Sequence, residues 1–215
     1  MTYPATLEEK AGLYLKAMHE VRARLRCVDD LLNRDMAPLL IDEFCQLQLR
    51  LSCECLAIAC LAAQGDFETH KDLRERYQPS LIFKALEGLY PAFFPTPSIL
   101  QPTGPGSWHF DDVGRGHAIT REEVEQIWNL SGDRLHRASV KRYLQDVKQT
   151  DLLAVCKAKE RFWNLVLDHM VVLADQVSRL HVHVERETED IRCHFLFLDL
   201  ETGTSKVQAF DIEVE

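Results

Sequence analysis

Arg50 and Glu54 stand four residues apart in QLRLSCECLAIACLAA, residues 48–63, a run that is otherwise small and apolar. On a helix that spacing puts both charges on one face. An ion buried without a partner costs several kcal/mol. The two could pair with each other, but arginine before glutamate is the weaker order along a helix. Further partners are therefore needed. The chain offers them in SGDRLHRAS, which holds Asp133, Arg134, His136 and Arg137. The expectation is that the two segments meet, with Glu54 or Arg50 within hydrogen-bond reach of His136. Arg134, Arg137, Lys141 and Arg142 also form a basic stretch with no acid among them. Such a cluster either performs acid–base chemistry or is a satisfied structural network in which His136 fixes a bend at Gly132.

Other groups are weaker candidates. In HVHVE, His181 and His183 share one face of a strand, with His194 and Cys193 on the neighbouring one. That is ligand-like geometry. Their parity opposes the apolar one, so solvent-facing histidines are expected. His109 and His117 lie near Asp111 and Asp112 in a loop, a constellation read as solvated. GPGSW and VGRGH lack the strand-to-helix context of a phosphate-binding loop. No serine or cysteine stands in a nucleophile motif. No metal and no cofactor is expected.

These residues must be positioned by helices. Leu7, Ala11, Tyr14, Met18, Val21, Leu25, Val28 and Leu32 repeat at four-three spacing, an apolar seam along one long helix. Thr6 and Glu9 form a capping box at its start. Pro38 opens a second helix. Its seam is Leu40, Phe44, Leu47, Leu51, Ile58 and Leu61, with Glu54 in the gap, and a second apolar face holds Cys45, Leu49, Leu56 and Cys60. Gly65 ends it. Shorter helices are predicted at 67–77 and 80–90. A long Pro/Gly-rich loop follows at 91–119. Thr120 and Glu123 cap a helix through Trp128, and a last long helix runs over 151–178. The period then changes to two, and Leu180, Val182 and Val184 begin a three-stranded antiparallel meander. The predicted fold is α+β, mainly α: a helical bundle over residues 1–178, then a β-meander over 179–215 packed on it.

The chain has 215 residues, with a net charge of −9 and 27% charged residues. The acidic balance disfavours broad binding to nucleic acid or anionic lipid, although a local basic patch can still act. No segment reads as a membrane span or as a signal peptide. The cysteines number seven, and Cys45, Cys53, Cys55 and Cys60 crowd one helix. They read as small buried hydrophobes in a reducing cytoplasm.

The long helices, the Arg50/Glu54 pair and ITREEVEQIWNLSGDRLHRAS (residues 119–139) together resemble the HEPN-like helical superfamily. The resemblance covers roughly residues 6–178 and also extends to bacterial proteins with a Thr-Arg-acid-acid start and a Leu-His-Arg ending. It implies a helical bundle, dimerisation and, in active members, metal-independent cleavage of RNA in toxin–antitoxin or antiphage systems. The family's active motif is an arginine, four to six residues, then a histidine. No histidine here has that spacing: the required positions before His136 are Asn129, Leu130 and Ser131. Two functions follow. The first is a non-catalytic protein-interaction module of bacterial or phage origin, acting as a homodimer or with a protein partner. The second is a divergent ribonuclease. There His136 would take the 2′-hydroxyl proton, and Arg50, Glu54 and Arg134 would assist. Arg137, Lys141, Arg142 and Asp133 would line its binding surface. The missing motif and the acidic charge favour the first.

Overall fold

The computed structural model describes residues 6–65, 75–104, 107–112, 117–135, 150–188, 190–199 and 204–210. The described helices are α1 (Leu7–Leu32), α2 (Pro38–Gln64), α3 (Pro79–Leu89), α4 (Arg121–Leu135) and α5 (Leu152–Val166). The strands are β1 (Thr96–Gly104), β2 (Ser107–Asp112), β3 (Asp168–Val172), β4 (Arg179–Val184), β5 (Ile191–Asp199) and β6 (Thr204–Phe210). The protein is α+β and mainly helical, with antiparallel strands at its C-terminal side, as the change of hydrophobic period predicts.

The helix starts follow the local chemistry. The Thr6 hydroxyl accepts from the Glu9 amide and the Glu9 carboxylate accepts from the Thr6 amide. Thr120 and Glu123 repeat the exchange ahead of α4. Gly65 closes α2 at φ 65°, in the left-handed region where a side chain is strained, and the Lys10 side chain lies where a Cβ would be. The seam of α1 is buried from Ala11 to Val28 and packs along α2.

α2 departs from the sequence reading. Its buried face carries Ile41, Cys45, Leu49, Cys53, Leu56 and Cys60, whereas Leu40, Phe44, Leu47 and Ile58 of the expected seam stay 37–44% exposed. Both stripes have helical spacing, and the small residues decide between them. Serine, cysteine and alanine let α2 approach its neighbours closely, so the narrower face goes inside. By length and composition α2 is also apolar enough to cross a membrane, which the sequence reading did not anticipate, but 61% of that apolar window is buried inside the protein.

The sheet is larger than a three-stranded meander. Its order is β2-β1-β3-β4-β5-β6, every pairing antiparallel. The stretch expected to be a loop supplies the β1–β2 hairpin. The helix expected to reach residue 178 stops at Val166, and the chain re-enters the sheet as β3. His169, Val171, Leu180, Val182, Val184, Cys193 and Phe195 form the face against the helices, all of them buried. β1 touches β3 through Thr96↔Met170 and Pro97↔His169 and then continues with β2. The expected helix at 67–77 falls mainly on residues outside the described ones.

Candidate functional site, the polar seam between α2 and α4

Asp42, Gln46, Arg50 and Glu54 are each four residues apart, so they line one stripe of α2 about 18 Å long. α4 runs antiparallel beside it and answers at every level. Arg134 Nη1 donates to both carboxylate oxygens of Asp42 at 3.0 Å. The Ser131 hydroxyl donates to Gln46 Oε1 at 2.8 Å, and Gln46 Nε2 lies 3.4 Å from Asp42 Oδ1. Arg50 Nη1 donates to the Trp128 carbonyl at 2.9 Å, and the guanidinium carbon sits 3.9 Å from the centroid of the Trp128 ring. Trp128 Nε1 donates to Glu54 Oε1 at 2.8 Å, and Arg50 Nε lies 3.5 Å from that same oxygen.

The two segments do meet, as the charge argument requires. The partner of Glu54, however, is the indole of Trp128. Sequence reasoning missed it because it sought a charge for a charge. An indole N–H is a donor with a large apolar body, which suits a half-buried carboxylate. Gly132 completes the contact: a Cβ there would lie 2.4 Å from Arg50 Nη1. The residue is small because a guanidinium packs over it. Asp133 is on the exposed side of α4. His136, Arg137, Lys141 and Arg142 lie outside the described residues.

Chemically the seam is well satisfied. Arg50 and Arg134 are each bonded to their neighbours, and the indole covers one face of the Arg50 guanidinium. Such a ladder fixes register between two helices, since sliding α4 by one turn would part every pair.

The histidines sort into structural roles. His169, expected within a helix, is buried on β3. Its Nδ1 faces the Val166 carbonyl at 3.1 Å and its Nε2 faces the Tyr14 hydroxyl at 2.7 Å. A carbonyl only accepts, so Nδ1 carries the proton and Nε2 accepts from tyrosine. Burial pulls its pKa down to about 4 and pushes that of Tyr14 up. His181 is buried and its Nε2 lies 3.2 Å from the Ser98 carbonyl, which corrects the expectation of a solvent-facing side chain. The β1 segment covers it. His183 lies between Asp168 at 2.8 Å and Glu185 at 2.9 Å. The bond to Asp168 raises its pKa to about 9. His109 and Asp111 form an exposed pair at 3.1 Å, and His117 is exposed elsewhere.

Among the described residues no group of three or more His, Cys, Asp or Glu side chains is arranged to hold a metal ion. All seven cysteines are free thiols. Burial pushes Cys45 up to about 12 and Cys55 up to about 11, so neither is a ready nucleophile. Set against known protein families, curated proteins and solved structures, the chain matches none of them.

Proposed function

We propose that the protein is a non-catalytic interaction module that pairs with a second copy of itself through the outer face of α2. The observation that carries this reading is the division of labour on that helix. Its charged stripe is consumed by α4, while Leu40, Phe44, Leu47 and Ile58 stand 37–44% exposed along one line. Together they offer on the order of 300 Å² of apolar surface, the size of the largest apolar patch on a typical monomer, which is often a functional one.

The spacing suits a two-fold arrangement. Lay a second α2 antiparallel over the first, with the axis at Leu49. Leu40 then falls opposite Ile58 of the second copy, Leu47 falls opposite Leu51, and Phe44 falls over Glu54 beside the Trp128 ring. An interface that meets itself in this way is what a two-fold dimer requires. The HEPN-like resemblance belongs to this proposal through α1, α2 and α4. A reducing, cytoplasmic setting belongs to it through the buried thiols.

The test is sedimentation equilibrium of the wild-type chain and of Leu47→Glu. The wild type should be dimeric at micromolar concentration. A carboxylate beside the axis should give a monomer with an unchanged circular dichroism spectrum. A monomeric wild type, or a variant that stays dimeric, would refute the interface.

A further inference from the structure

The β1–β2 hairpin is joined to the rest of the sheet over a short stretch. β1 pairs with β3 at two positions, Thr96↔Met170 and Pro97↔His169, and from Ser98 onward its register is with β2. One of the two positions is a proline, which has no N–H to give to a ladder. Just past this joint a side chain takes over: His181 Nε2 lies 3.2 Å from the Ser98 carbonyl. A carbonyl only accepts, so Nε2 carries the proton of the neutral ring and donates it.

The contact shuts His181 in. Residues opposite each other on paired strands share a face, so His181 stands between Met170 and His194, with Arg179 and His183 flanking it along β4. All four of these neighbours are half-buried, whereas His181 is 2% exposed. β1 supplies the cover, and its Ser98 is itself 4% exposed.

The charges around the ring disfavour a second cation there. From β3, Asp168 Oδ1 lies 3.8 Å from His181 Nε2, but His183 engages the same oxygen at 2.8 Å. With its pKa near 9, His183 is already an imidazolium at neutral pH. From β5, the His194 ring is centred 5.9 Å from that of His181. Arg179 and Arg192 add positive charge to the same face, and Asp112 stands opposite Ser98 in the hairpin register. A proton added to His181 goes to Nδ1 and creates a buried cation between His183 and His194. Burial holds the pKa of His181 below its ordinary value; His194 and His183 add to that, and the Ser98 carbonyl and Asp168 offset it only in part.

We infer that the β1–β2 hairpin is an acid-released cover: it turns on the Thr96–Pro97 joint, and protonation of His181 lifts it from the outer face of the sheet. In the lifted form His181 meets water and binds its proton with ordinary affinity, so proton uptake favours that form as pH falls below about 6.5. Lifting bares His181 and His194 beside Asp168, a surface that is closed at neutral pH. The device is separate from the α2 face, so it stands or falls independently of the dimer.

The experiment is hydrogen exchange of the full chain at the amides of Thr96, Ser98 and Ile99, expressed as protection relative to the intrinsic rate at each pH. Protection there should fall severalfold between pH 7.5 and pH 5.5, with about tenfold as the ceiling that an ordinary imidazole pKa allows. Leu180 and Val182, in the middle of the sheet, should stay better protected at both pH values, the mark of a local opening. His181→Gln keeps a donor for the Ser98 carbonyl but has nothing to titrate, and should hold the protection level across the range. His181→Ala removes the donor and should lower protection at pH 7.5 as well. Both variants are checked for native circular dichroism. An unchanged wild type between the two pH values would overturn the inference. So would an equal fall in His181→Gln, exchange at the joint no faster than at Leu180 and Val182, or full protection in His181→Ala.

Discussion

The Tyr14–His169 contact makes a sharp prediction about acid. His169 is wholly buried, and its pKa falls from an ordinary value near 6.5 to about 4 because burial penalises the imidazolium. The unfolded chain keeps the ordinary value, so below pH 6.5 it binds a proton that the folded chain does not. Stability therefore falls as pH drops, from about 6.5 until pH 4, where the folded form is also protonated. A difference of about 2.5 pKa units corresponds to about 3 kcal/mol over that interval, with a slope near 1.2 kcal/mol per pH unit in its middle. His169→Gln keeps an acceptor for the Tyr14 hydroxyl but has nothing to titrate. The assay is urea denaturation of both proteins at half-unit steps from pH 7.5 to pH 4.5. The variant starts less stable, yet its stability declines more gently, and the gap between the curves narrows as pH falls. Parallel curves would show that His169 is not held neutral, and the assignment of its proton to Nδ1 would go with it.

His183 has the opposite sign. Its raised pKa, about 9, adds stability that is complete below pH 6.5 and lost as pH rises through 9, and His183→Gln should flatten that alkaline decline. Gly132→Ala puts a methyl into the Arg50 guanidinium and should cost about 1–3 kcal/mol in thermal or chemical denaturation, the range for overpacking. Arg50→Ala in the Gly132→Ala background should cost less than the two effects added, because the clash has gone; strict additivity would deny the contact. Purified wild type should leave RNA intact in EDTA. Cleavage lost in both His136→Ala and Arg50→Ala would replace the interaction module with a ribonuclease.

What the sequence discloses depends on whether the physics is local. Both capping boxes, Pro38 at the start of α2 and Gly65 at its end are spelled out within four residues, and they stand where the spacing predicts. The meeting of α2 with the segment around Gly132 was legible too, because charges inside an apolar run demand a polar partner. The choice of Trp128 was not, since an indole donor carries no sign. The end of α5 was missed because Met170, Val171, Val172 and Leu173 continue an apolar pattern compatible with either period, and only their pairing with β4 decides it. His181 was assigned to solvent by strand parity, a rule for a sheet with one bare face. The β1 segment covers that face, and nothing near His181 in the chain announces it.

The partners Tyr14 and His169 are separated by 155 residues. During synthesis at about 5–20 residues per second, the N-terminal helical hairpin, complete at Gln64, leaves the ribosome roughly 5–20 s before β3, which begins at Asp168 and must cap it. α1 and α2 can pair at once, because their contacts need only the short connection between them. The pair then waits with a phenol and a row of thiols open to water.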